Sequence, residues 1–133
     1  MNGVLLDTHA LIWYLAHPER LSSMSSDAID DTLKKGGCLF VSAITIVEII
    51  YLVEKEKIPE KGFEALMESI NEPDAELQVL PVDLYVASEL RNIPREQIPD
   101  MPDRIIAAVA QYFNLPLITK DDRIIKADIN TIW

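Results

Sequence analysis

Short apolar runs that stop at a polar residue, each followed by a longer amphipathic stretch, recur along this chain and leave few folds open to it. Val4-Leu5-Leu6, Leu39-Phe40-Val41, Leu77-Gln78-Val79-Leu80, Leu117-Ile118-Thr119 and Ile129-Asn130-Thr131-Ile132 have the length and apolar content of strands. Helical spacing fills the intervals. One helix runs from about Thr8 to Ala16 and stops before Pro18, and a polar-faced one spans about Ser25 to Lys35. Ser42 is a natural N-cap for a third helix reaching about Lys55. Further helices follow Pro59 to about Ile70 and run from Asp83 to near Asn92. A last one has Pro102 in its first turn and ends at Phe113. Strands alternating with helices predict βα units, so the expected class is α/β: a three-layer α/β/α sandwich around a mostly parallel sheet. No repeat, low-complexity tract or linker interrupts the pattern, and residues 1–133 read as a single domain.

Composition narrows the function classes. Hydrophobic residues at 49% argue against disorder. The single cysteine, Cys38, sits in an apolar run and reads as a buried thiol; it excludes an internal disulfide framework and fits a reducing, cytoplasmic setting. One Cys and two His at unrelated spacing cannot build a zinc site. Gly36 to Val53 is nearly all apolar, but a membrane span there would hold Glu48 in hydrocarbon at a cost of roughly 2.5–3.5 kcal/mol. Gly36-Gly37 and Ser42 also break it into turn, strand and helix, so no membrane association is expected, and the N-terminus lacks the positive region of an export signal. The net charge of −10 is unusual for a nucleic-acid binder and favours a bound cation, a basic protein partner, or both.

Ligands of open parallel sheets bind beyond the carboxyl ends of the strands. Asp7 and Asp121 stand at such ends, although either alone also reads as a helix N-cap. Glu48 lies among Ile46, Val47, Ile49 and Ile50 in a helix apolar nearly all round. It therefore reads as a buried carboxylate needing a cation, or else a pair with Arg104. Asp103 shares a helix face with Ile106, Ala107 and Ala110 and points along an apolar stripe, while Asp100 caps and assists from the rim. Four converging carboxylates without Cys or His suit Mg²⁺ or Mn²⁺ and the hydrolysis of phosphodiesters. Thr8, Ser42 and Thr119 are close enough in sequence to orient water or phosphate, and Arg104 and Arg123 are candidate phosphate contacts. His9 reads as a partly buried packing histidine, and Trp13 and Tyr14 as core or dimer surface.

Val4-Leu5-Leu6-Asp7-Thr8-His9-Ala10-Leu11, Val41-Ser42-Ala43 leading to Glu48, Pro102-Asp103-Arg104-Ile105-Ile106-Ala107-Ala108, and Leu117-Ile118-Thr119-Lys120-Asp121 together resemble the PIN domain, in particular the VapC-type toxins of prokaryotic toxin–antitoxin pairs. The resemblance spans nearly the whole chain in register. It implies a parallel-sheet α/β/α fold, an Mg²⁺- or Mn²⁺-dependent endoribonuclease acting on RNA, a homodimer, and a cognate antitoxin whose tail occupies the acidic groove. It carries metal-ligand and catalytic roles onto Asp7, Glu48, Asp103 and Asp121, with Asp122 as the alternative fourth acid. The chain departs from close relatives at Gln97-Ile98-Pro99-Asp100-Met101, where they often have His-Arg-Asp-Pro-Phe; basic and aromatic groups are lost from the rim.

Two other readings compete. The same fold could serve as a non-catalytic module whose acidic groove captures a basic peptide. A nucleophile-type phosphatase would want a second Asp two residues after Asp7, where His9 stands, and a phosphoacceptor of the receiver kind would want paired acids at the first strand and a later Lys.

Overall fold

The computed structural model covers residues Met1–Trp133. Five strands, β1 (Gly3–Leu6), β2 (Cys38–Ser42), β3 (Leu77–Leu80), β4 (Leu117–Ile118) and β5 (Thr131–Ile132), form one sheet in the order β3-β2-β1-β4-β5. Every neighbouring pair is parallel, with Leu6 aligned to Val41 on one side and to Ile118 on the other.

Strand alternation sends successive side chains to opposite faces, and the chain uses both. Val4, Leu6, Leu39, Val41, Leu77 and Ile118 face one layer: α1 (Thr8–Ala16), α2 (Ser23–Lys34), α3 (Ala43–Glu54) and α4 (Glu60–Asn71). Leu5, Phe40, Leu80 and Leu117 face the other: α5 (Leu84–Glu89), α6 (Met101–Phe113) and α7 (Asp122–Lys126). The result is the expected three-layer α/β/α sandwich. Central β1 is apolar on both sides because both sides are covered.

The helix starts follow the capping residues. Side chains of Asp7, Ser22, Ser42, Asp83, Asp100 and Asp121 each accept a main-chain N–H at the head of their helices. The structure differs from expectation in several places. The helix opened by Asp83 tightens into a 3₁₀ turn at Leu90–Asn92, another 3₁₀ turn follows Pro18, and α7 was not anticipated. Helix α3 is not buried all round: Val47, Ile50 and Tyr51 are 45%, 38% and 58% exposed. Cys38 is half-buried rather than enclosed, and its sulfur accepts a bond from Gln78 Nε2. No helix is long and apolar enough to cross a membrane.

Candidate active site

The order of strands reverses between β1 and β4, the point where an open parallel sheet leaves a crevice at its carboxyl edge. Asp7 leaves β1 at that edge and Asp121 follows β4, so the crevice is flanked by acid on both sides. Glu48 reaches it from the second turn of α3, and Asp103 from the first turn of α6, against which α3 packs. Asp7, Glu48, Asp103 and Asp121 line a single cavity of about 350 Å³, with Thr8 among them. Residues separated by more than a hundred positions thus meet in one place.

Threonines hold the acids in position. Thr119 Oγ1 donates to Asp7 Oδ2 at 2.5 Å and itself accepts the Asp121 N–H at 3.0 Å, which ties the two sides of the crevice together. The other Asp7 oxygen accepts the Ala10 N–H at 2.8 Å, so Asp7 caps α1 while facing the cavity. Thr8 Oγ1 donates to Glu48 Oε1 at 2.6 Å and lies 3.0 Å from Thr45 Oγ1. A hydroxyl has one proton, and that of Thr8 goes to Glu48; the bond between the threonines therefore runs from Thr45 to Thr8. Thr45, fully buried, completes a relay of two hydroxyls behind Glu48. Nothing in the sequence marks Thr45 out, although it lies on the same helix face as Glu48, three residues before it.

The acids are crowded and partly dehydrated. Burial pushes the Asp7 carboxyl up, against the pull of the Thr119 and Ala10 bonds and of nearby His9. Burial likewise raises Glu48, opposed by the Thr8 bond and reinforced by the charge of Asp100. Asp103 is pushed up to about 7, by burial first and then by repulsion from Asp100, Asp121 and Glu48. All three shifts mark carboxylates whose burial and mutual repulsion outweigh whatever stabilises their charged forms. An oxygen-only donor set of this kind fits a hard divalent cation. No three of the acids converge closely enough to chelate an ion directly as they stand. That spacing, around a cavity with room for several waters, suits a cation that keeps part of its hydration shell.

The remaining expected residues fall in different places. Asp100 caps α6 by accepting the Asp103 N–H, at the rim. Asp122 is exposed and off the cavity, leaving Asp121 as the acid that faces it. Arg104 neither pairs with Glu48 nor lines the cavity: its guanidinium donates to the carbonyls of Ile93 and Leu90, bracing the turn before α6. Ile98, in the loop that departs from the family pattern, is buried in the core. Three further residues line the cavity. His9, expected as a partly buried packing histidine, is exposed at its edge; Trp13, expected in the core or at a dimer surface, stands in its wall; Lys120 joins them.

Residues 4–130 match the family model described as PIN domain. Ribonuclease VapC22 of Mycobacterium tuberculosis is 31% identical over 124 residues, spanning 93% of this chain and 91% of that protein. A DNA-bound VapBC structure from Salmonella typhimurium has the same fold at a TM-score of 0.73 and 22% identity, covering 98% of this chain and 97% of that one. VapBC2 from Rickettsia felis, bound to a DNA fragment from its promoter, superposes at a TM-score of 0.72 and 17% identity over 97% and 96% of the two chains. The matched span holds all four acids of the cavity, Asp7, Glu48, Asp103 and Asp121, and this chain belongs to the PIN domain family.

Proposed function

We propose that this chain is a metal-dependent endoribonuclease of the VapC toxin kind, its 133 residues a single nuclease domain in which Asp7, Glu48, Asp103 and Asp121 hold Mg²⁺ or Mn²⁺. One observation supports this above the rest: four acids from four separate segments line one cavity at the sheet's switch point, in a chain 31% identical to a protein named as a ribonuclease. A divalent cation bound there supplies Lewis-acid polarisation of a phosphoryl oxygen and a water that ionises near neutral pH. The chain's own work is placement. Thr119 fixes the buried Asp7 carboxylate and Thr8 fixes that of half-buried Glu48. The VapBC neighbours and the net charge of −10 support a cognate antitoxin that presents basic groups to the acidic cavity. The apolar face of α3 supports a homodimer, and a toxin of this kind meets its RNA in the cytoplasm.

Purified protein free of antitoxin is expected to cleave RNA with Mg²⁺ or Mn²⁺ and to stop in excess EDTA. Asp7→Asn and Glu48→Gln should each lose roughly a hundredfold or more in rate, the order seen when one transition-state contact is removed. In Asp7→Asn the amide oxygen still accepts the Ala10 N–H while the Thr119 bond is lost, so the variant should melt lower but keep its circular dichroism spectrum. Cleavage undiminished by EDTA would overturn the proposal.

The lack of a ready-made three-acid chelate favours one alternative, a non-catalytic module that captures a basic peptide. Calorimetry separates the two: tight peptide binding with no Mg²⁺ or Mn²⁺ binding would select the module.

A further inference from the structure

We infer that Trp13, with Lys120 and Arg20 beside it, forms a subsite for one nucleotide of single-stranded RNA next to the four acids, the base stacking on the indole and its phosphates held by the two cations. The inference rests on the ribonuclease reading and adds to it where the substrate lies.

Trp13 stands in the wall of the acidic cavity, half-buried, on the same face of α1 as His9. Lys120 Nζ is 5.9 Å and Arg20 Cζ 6.0 Å from the centre of its ring, at the limit of cation–π attraction. Two further rings neighbour the indole, Trp133 at 5.7 Å and His9 at 5.8 Å between centroids, both tilted to it. A ring already ordered by such neighbours loses little freedom when a base stacks on it.

Placement makes two of the chain's 12 basic residues distinct. The structure's one ion pair joins His17 to Glu19, so no lysine or arginine is paired with a carboxylate, and of these cations Lys120 and Arg20, both exposed, are the two gathered on an aromatic ring. Two cations near one aromatic ring, Lys120 lining the acidic cavity with it and Arg20 beyond, match the single-strand binding scheme of basic groups for the backbone and an aromatic platform for the base. They also answer an electrostatic need. Phosphate approaching four carboxylates is repelled, and Lys120, between Thr119 and Asp121 in sequence, puts a positive charge at the point of entry.

The test uses full-length protein carrying Glu48→Gln to stop turnover and Trp133→Phe so that Trp13 is the only indole. Added short single-stranded RNA of mixed sequence, with Mg²⁺ present, should quench Trp13 fluorescence. Trp13→Ala should weaken RNA binding roughly 5- to 150-fold, the range for loss of one stacked base, and Trp13→Phe should recover most of it. Lys120→Ala should weaken it as well, whereas Lys57→Ala, an exposed lysine between α3 and α4, should not. With Glu48 intact, the Trp13 and Lys120 variants should raise KM more than they lower kcat, and calorimetric Mn²⁺ affinity should hold. If the wild-type chain cleaves with metal while Trp13→Ala and Lys120→Ala keep its KM, the subsite is wrong and the nuclease reading stands. Quenching by RNA without metal-dependent cleavage would keep the subsite and sink the nuclease. Quenching by a basic peptide and not by RNA would overturn the subsite. Should Trp13→Ala fail to fold, Lys120→Ala and the quenching decide.

Discussion

At the residue scale, the site is built from acids held by hydroxyls, and the hydroxyls are testable apart from the acids. Thr45→Val removes the donor behind Thr8 and leaves a buried lone pair unmet, at a cost of roughly 1–3 kcal/mol. Partners one layer behind a metal ligand are worth roughly 10- to 100-fold in affinity or activity. Thr45→Val should therefore weaken Mn²⁺ binding by calorimetry and slow cleavage on that scale, while Thr45→Ser restores both. Asp103 offers a second test. Its folded-state pKa of about 7 lies above its ordinary 3.8, so between those values the folded chain binds more protons than the unfolded one. Stability conferred by the protonated carboxyl is complete at the acid end of that window and is lost as pH rises through about 7. Metal-free protein should melt progressively lower across the window, Asp103→Asn should flatten the slope, and a divalent cation at neutral pH should raise the melting temperature again. The four acids were legible in the sequence because each breaks an apolar context, at the end of a strand or inside a helix. Thr45 was not, since a threonine in a helix's first turn has no distinguishing pattern. Nor was the outlook of Trp13, because helical spacing defines a face without saying whether that face meets core or cavity.

At the scale of elements, capping and alternation did most of the specifying. Ser42 and Asp83 begin their helices where the pattern changes period, and Leu5 against Val4 and Leu6 divides the two cores. Pieces of three to five residues, too short to repeat the helical period, leave no such trace, which is why α7 and the Pro18–Arg20 turn went unseen. The exposed side of α3 was misjudged for a related reason: apolar residues on every face fit a helix enclosed by its own chain or one that meets another chain. Gly3, at the start of β1, carries a constraint that only the packed sheet discloses. A Cβ there would strike the Cys38 carbonyl and come within 2.6 Å of the Phe40 ring. Gly3→Ala must push the two central strands apart, and a loss of roughly 1–3 kcal/mol is expected as a lower urea midpoint.

At the scale of the whole molecule, the outward face of α3 presents Val47, Ile50 and Tyr51 in one stripe, which supports the proposed homodimer. Val47→Glu should halve the mass seen by light scattering while leaving the helical signal intact; a native-sized particle would exclude this face. A different consequence comes from how widely the chain scatters the groups that meet across its crevice. Thr119 and Asp7 are joined by a hydrogen bond although 112 positions separate them. A ribosome adding roughly 5–20 residues per second spends some 6–22 seconds between the two. Through that interval the emerging polypeptide has no finished cleft, so each copy must be translated past residue 119 before that copy can cut anything.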